Sequence, residues 1–384
     1  MNKYEKISTQ SFINGLGNLS YSYFKPCLLP VNIKLDQKLQ NLIIKASEEI
    51  GKFNYISEKE YMKILMKKLV EKEALISSQI EGTQSTYDDI QMVRYTTKHL
   101  QDVQEVINYF DALNYGVKRI KELPLCSRLF KEIHKVLLKD KVRGGENKYI
   151  TGEYRTTQNW VCGTMPSNAK YVPPAPHLLN ELMGNLENYI NNDTNDNFLI
   201  QVALLHYQFE TIHPFTDGNG RTGRILIILF LIEKGILKEP NLFISLYFKL
   251  NKEKYYEMLM QPRNTGNFEE YIEFFLQAII YSIQQVVQTF EDVENLLNNT
   301  KSICNKINKR NIMKIYDFIL KQPVFNTKEC AEYLNCQYNT AQSLIKELEK
   351  NNILSKKTNI NQHRNVIYQF TEYLNIISKG TELM

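Results

Sequence analysis

The sequence has no stretch long and apolar enough to cross a bilayer. Its longest apolar run, Ile225 to Ile232, falls far short of the roughly 20 residues a spanning helix needs. The opening, Met1 to Phe12, is polar and lacks the apolar segment of a secretory leader, so a soluble, cytoplasmic protein is expected. The cysteines (Cys27, Cys126, Cys162, Cys304, Cys330 and Cys336) form no Cys-x-x-Cys pair and show no metal-ligand spacing. They read as reduced packing residues. The six histidines contain no His-Glu-x-x-His, which argues against zinc hydrolase chemistry. No Gly-Lys-Ser/Thr occurs, excluding a Walker P-loop. There are no internal repeats and no low-complexity tracts.

What is present is a core and one dense loop. Apolar residues make up 43% of 384, ample for two or three buried domains. The net charge of +5 is uneven: residues 301–384 carry 13 basic against 7 acidic side chains, and the rest is nearly neutral. Between two apolar helical runs lies His213-Pro-Phe-Thr-Asp-Gly-Asn-Gly-Arg-Thr-Gly-Arg224. Pro214 blocks continuation of the first helix. Gly218, Gly220 and Gly223 leave the backbone free to form an anion-binding nest at the start of the second. Around it stand a base (His213), a hard-metal ligand (Asp217), an amide (Asn219) and two guanidinium groups (Arg221, Arg224), a set suited to a polyphosphate with a divalent metal. A calcium loop counted from Asp217 would need Gly and Glu where Thr222 and Ile228 stand.

This stretch resembles the Fic-family signature, His-Pro-Phe-x-Asp/Glu-Gly-Asn-Gly-Arg-x-x-Arg, at every defined position. The likeness extends to Gly152-Glu-Tyr-Arg155, Gln158-Asn-Trp160, Val172-Pro-Pro174 and His206 to Ile212, and covers about residues 36–285. The resemblance implies a helical core with a β-hairpin flap at 152–171 that holds a target protein by strand addition. It implies ATP as substrate and Mg²⁺ as cofactor, with AMP passing to a Tyr, Thr or Ser hydroxyl. His213 would be the base, Asp217 the Mg²⁺ ligand, and Thr216, Gly218, Asn219, Gly220, Arg221 and Arg224 the phosphate site. Asn251, Tyr255 and Tyr256 are candidates near the adenine, with ordinary packing the competing reading for the tyrosines. Ser77-Ser-Gln-Ile-Glu81-Gly82 matches the family's inhibitory helix, in which Glu81 would pair with Arg224 and keep it from the γ-phosphate. The same site could run in reverse, removing AMP. A DNA-binding regulator with a residual Fic core is the reading from another class.

Taken in order, residues 1–35 show no sustained period and are expected to wrap as an arm. Residues 36–120 form the N-terminal helical region, with spacing that begins at Leu39, Leu42, Ile43 and Ala46. Residues 121–290 form the catalytic core, broken by Arg143-Gly-Gly145 ahead of the flap. Residues 291–384 form a connector and a winged helix-turn-helix. There Asn326 to Glu329 reads as a capping box, Asn339 to Lys350 as the reading helix and 352–370 as the wing. That helix offers only Gln342 and Lys346, and the wing adds Lys356, Lys357 and Arg364. These suit phosphates more than bases. DNA binding is therefore a weak expectation, beside target docking or homodimerisation.

Overall fold

Asp36 opens the helical body of the protein. The computed structural model describes residues 5–12, 18–95, 101–139, 151–192, 196–240, 242–357 and 366–383, with side chains from residue 21 onward. In it the Asp36 carboxylate accepts the Leu39 amide at 2.8 Å and caps α1 (Gln37–Ser57). Loss of such a cap costs about 1 kcal/mol. Asp36→Ala should therefore lower the urea midpoint modestly while leaving the fold intact.

The described residues hold fourteen further helices: α2 (Glu60–Ile80), α3 (Tyr87–Met92), α4 (Gln101–Arg119), α5 (Ser127–Leu137), α6 (Leu179–Asn191), α7 (Phe198–Ile212), α8 (Asn219–Glu233), α9 (Ile244–Leu250), α10 (Lys252–Thr265), α11 (Glu269–Lys306), α12 (Ile312–Lys321), α13 (Thr327–Leu334), α14 (Tyr338–Lys350) and α15 (Thr371–Ser378). The centre is α7 against α8. Every residue from Leu199 to Ile212 is buried, as is Arg221 to Leu231. These helices have no polar face, as expected of helices enclosed on all sides. Around them pack α2, α4, α5, α6 and α11. At 38 residues α11 is the longest of the described helices, about 57 Å at 1.5 Å per residue. It lies along α1 and leads into the C-terminal module.

That module places α12, α13 and α14 beside a three-stranded antiparallel sheet of order β3–β5–β4 (β3 Val324–Asn326, β4 Ser355–Lys356, β5 Ile367–Gln369). Asn326 and Glu329 close the capping box that opens α13. Arg364 and the Arg143-Gly-Gly145 break fall outside the described residues.

Two regions differ from expectation. The arm at 1–35 contains an antiparallel hairpin, β1 (Glu5–Phe12) with β2 (Asn18–Lys25), whose end reaches the flap through Phe24 N–H to Val172 O at 2.9 Å. In β2, Tyr21, Tyr23 and Phe24 are buried while Ser22 faces out, so the strand alternates over only three residues. A search for helical spacing passes over such a pattern. Conversely, the flap at 152–171 is not a two-stranded ladder. It is a loop closed by the single bridge Val161–Tyr171. Asn168 Oδ1 accepts the amides of Thr164 and Met165 at 3.1 and 3.0 Å, so turn chemistry takes the donors that a ladder would use.

Candidate active site

His213 ends α7 in the left-handed conformation, φ 49° and ψ 60°, which costs a side-chain-bearing residue energy. The surroundings hold it there. Its amide donates to Phe209 O at 2.9 Å. Arg155 Nε donates to the His213 carbonyl at 3.0 Å, and Arg155 NH2 to Pro174 O at 2.5 Å and Ile212 O at 3.4 Å. Arg155 thus satisfies carbonyls left open at the helix end. It was legible only as part of the flap resemblance, without this task. Burial, then the guanidinium groups of Arg155 and Arg263, push the His213 imidazole down to about 3, against the opposing pull of Glu81. The ring is held in the neutral form at physiological pH, the form able to accept a proton.

The loop after it is pinned from both sides. Asn219 Oδ1 accepts the Phe215 amide, and Asn219 Nδ2 donates to the Phe215 carbonyl, both at 2.8 Å. The Phe215 ring stacks on His134 from α5, centroids 3.8 Å apart. His134 Nδ1 accepts the Gly152 amide at 2.9 Å, so its Nε2–H donates to Asp217 O at 2.9 Å. Burial pushes His134 down to about 4, and it serves as a neutral strut. Nothing in the sequence pattern marked it.

Gly218 has φ 75° and precedes α8, where a Cβ would be strained. The first amides of α8 then have no carbonyl one turn back, as an anion cradle would require. The Asp217 side chain is 42% exposed. Its Oδ1 accepts the Gly218 amide at 2.7 Å, and its Oδ2 lies 3.6 Å from Arg221. Thr216 lies partly exposed on the same loop.

Both arginines of the loop are occupied from outside it. Arg224 is 1% exposed. It donates to Ser77 Oγ, Ser77 O and Glu81 Oε1, each at 2.8 Å. Burial opposes ionisation of Glu81, but Arg224 outweighs it, with help from Arg221, and holds the carboxyl below its usual range. Glu81 is the residue at which α2 ends, and Gly82 follows with φ 96°. Arg221 NH1 lies 3.4 Å from Glu105 Oε2 of α4, which also accepts Thr83 Oγ1 at 2.8 Å. Gly220 and Gly223 are helical and serve closeness instead of conformation. A Cβ at Gly220 would meet Glu81 Oε1 at 2.3 Å, and one at Gly223 would meet Glu210 Oε1 at 2.4 Å.

The last turn of α2 is itself clamped. Gln79 Nε2 donates to Thr381 O at 2.8 Å and Ser85 O at 3.0 Å, while Gln79 Oε1 accepts Lys249 Nζ at 2.8 Å. Lys249 also reaches Glu382 O at 2.6 Å, so the chain's C-terminal end rests on this helix.

The adenine candidates divide. Tyr255 is 2% exposed, stacks on Phe248 at 4.3 Å and bonds His206 Nε2 through its hydroxyl at 2.9 Å. It is a packing residue. Its neighbour Tyr256 is 42% exposed; burial, then the charge of Glu81, raise its hydroxyl to about 12. Asn251 turns its amide back to Tyr247 O at 3.0 Å.

Residues 124–231 match the profile described as the Fic/DOC family, and residues 40–118 that of the Fic/DOC family N-terminal region. The chain is 34% identical over 147 residues to the protein adenylyltransferase Fic of Culex quinquefasciatus, covering 37% of this chain and 25% of that one. It is 30% identical over 199 residues to a probable protein adenylyltransferase of Aquifex aeolicus, covering 50% and 55%. It therefore spans between a quarter and just over half of these relatives' lengths. The crystal structure of a Fic family protein from Desulfovibrio desulfuricans shares the fold with a TM-score of 0.60 at 19% identity, covering 89% of this chain and 98% of that one. Fold, matched regions and the loop at 213–224 agree: residues 40–118 and 124–231 carry the two regions of the Fic/DOC family.

Proposed function

We propose that the protein transfers AMP from ATP to a hydroxyl of a target protein, and that its resting form is held inactive by Glu81. The observation that carries this is the amide cradle at the start of α8 beside the neutral imidazole of His213, with Arg224 gripped by Glu81 at 2.8 Å. The relatives' names point to the same reaction. In this reading the target hydroxyl approaches His213, which takes its proton. The oxygen bonds to the α-phosphorus as the bond to pyrophosphate breaks. The α8 amides with Asn219 and Gly218 orient the phosphates, Arg221 takes the β-phosphate, and Arg224 takes the γ-phosphate once Glu81 leaves. Such electrostatic preorganisation supplies much of the catalysis in phosphoryl chemistry.

The donor set fits Mg²⁺. Asp217 offers a half-exposed carboxylate oxygen at the cradle's edge. No group of three metal-binding side chains occurs among the described residues, which suits an ion that keeps waters and phosphate oxygens as its other ligands. When bound, Mg²⁺ would offset charge on the departing pyrophosphate. Asp217→Ala should lose Mg²⁺-dependent turnover; a titration still saturating with Mg²⁺ as in the parent would remove Asp217 from that role.

The segment 152–171 would hold the target, and Tyr256 replaces Tyr255 as the aromatic candidate beside the adenine. We read residues 291–384 as connector plus winged helix. Two observations favour docking onto this chain's own core over DNA: the wing residue Lys357 pairs with Asp88 of α3, and Tyr95 bonds Glu329 of α13 at 2.5 Å. No described helix is long and apolar enough to cross a membrane. The test is transfer from labelled ATP by the Glu81→Gly chain, with mass spectrometry of the product. An AMP adduct is expected; a phosphate adduct, or none, would overturn the reading.

A further inference from the structure

Two amide groups converge on one nitrogen of the candidate base. Asn159 Nδ2 lies 2.8 Å from His213 Nδ1, and Asn219 Nδ2 lies 3.2 Å from it. An amide nitrogen donates and does not accept. The orientation of each amide is set independently by Phe215. Its carbonyl accepts Asn159 Nδ2 at 2.9 Å and Asn219 Nδ2 at 2.8 Å, and its amide donates to Asn219 Oδ1 at 2.8 Å. Nδ1 must therefore present its lone pair, and the neutral ring carries its proton on Nε2. That is the wrong tautomer for a base whose outer nitrogen receives the hydroxyl. Meanwhile Asn159 Oδ1 is buried with no hydrogen-bond partner, an unused acceptor one amide rotation away from Nδ1.

We infer that Asn159 is the positioning residue for His213: turning its amide by half a rotation sets Oδ1 against Nδ1 and moves the ring proton to Nδ1, leaving the Nε2 lone pair for the target hydroxyl. The inference rests on the AMP-transfer reading above. The ring loses its Nε2 proton to solvent and gains one at Nδ1, so its charge is unchanged. During transfer the hydroxyl proton passes to Nε2, the new O–P bond forms and the bond to pyrophosphate breaks. The resulting imidazolium keeps Nδ1–H on Asn159 Oδ1. The Phe215 carbonyl gives up Asn159 and retains Asn219, so the loop stays pinned, while the 3.2 Å approach of Asn219 Nδ2 to Nδ1 opens as Nδ1 gains its proton. The charged groups facing the ring are Arg155 from the same segment, Arg263 from α10 and Glu81 at the end of α2. The two arginines oppose an imidazolium and Glu81 favours it; with Glu81 replaced or withdrawn, the Asn159 oxygen is left to steady it. Asn and Asp orienters behind histidine bases act in this way generally.

The test uses the full chain carrying Glu81→Gly, with and without Asn159→Asp or Asn159→Leu. ¹⁵N-histidine NMR should show His213 as the Nε2–H form in the parent and the Nδ1–H form in Asn159→Asp. The added carboxylate should raise the midpoint of the acid limb of the kcat profile by about one pH unit or more. Asn159→Leu should lower kcat at least about tenfold, with KM for ATP unchanged. Should the leucine variant fail to fold, the nearly isosteric Asp variant still decides. The inference is overturned if the ring keeps one tautomer in parent and Asp variant, or if the acid limb and kcat do not move. If His213→Ala still transfers AMP, the base assignment fails instead, and the NMR comparison alone then decides what Asn159 does.

Discussion

Glu81→Gly will raise AMP transfer, onto a target or onto the chain itself, by about ten- to a hundredfold, the equivalent of roughly 1.4–2.7 kcal/mol. Arg224 is almost completely buried and spends three donor contacts on α2, two with Ser77 and one with Glu81. The guanidinium is charged in all three contacts, but only Glu81 brings an opposite charge to it, which makes that contact an ion pair as well as a hydrogen bond. Removing the carboxylate frees one NH2 donor and removes a negative charge from the place where a γ-phosphate would lie. The two Ser77 contacts remain, so the guanidinium stays oriented and is not left wholly unpaired in the interior. Glu81→Gln separates charge from hydrogen bonding and should fall between the parent and the glycine variant. Mild acid should not imitate the mutation. A carboxyl held below its usual range keeps its contribution above the ordinary carboxylate pKa, and loses it only as pH falls through the still lower folded value. Transfer from labelled ATP, scored with and without Mg²⁺, reads the effect. Equal transfer by parent and variant would show that the pair does not control the site.

Much of this site is readable in the sequence because the chemistry is local. Within twelve residues the chain supplies the imidazole, the carboxylate, the amide, both guanidinium groups and the glycines, and the structure keeps them together at one helix junction. Glu81 is readable despite a separation of 143 residues from Arg224, because its motif is contiguous on one helix end. What escapes are groups whose meaning comes only from packing. His134 acts as a strut because α5 brings it onto Phe215, and Arg155 because it reaches the Ile212 and His213 carbonyls. Glu105 matters because α4 sets it beside Arg221. None of these has a sequence neighbour that announces the task. Tyr255 fails in the opposite direction. Adjacent tyrosines on a helix point about 100° apart, so one packs on Phe248 and the other is left exposed, and spacing alone does not say which. The hairpin at the start of the chain was hidden by a mostly polar strand, Glu5 to Phe12, which offers no apolar alternation to find.

His213→Ala is the second large effect. In the Glu81→Gly background it should lower transfer by about 10²–10⁴-fold, the usual contribution of a positioned base, while ATP still binds. The separation is expected because the phosphate contacts come from the α8 amides, Arg221 and Arg224, none of which depends on the imidazole. The backbone should tolerate the change only in part. Residue 213 has φ 49°, and alanine gains no relief there, so His213→Gly serves as the companion variant that removes the ring without that strain. The pH profile adds a second check. The ring takes up a proton near 6.5 when unfolded and near 3 when folded, so the unfolded chain binds more protons between those values. Folding stability attributable to His213 therefore rises with pH through that window, and is eroded as pH falls below about 6.5. Both ring-less variants should show a shallower loss of stability between pH 7 and 4 than the parent. A parent and variants that lose stability in parallel would mean the ring is not held neutral. Retained transfer by His213→Gly would remove it from the chemistry altogether.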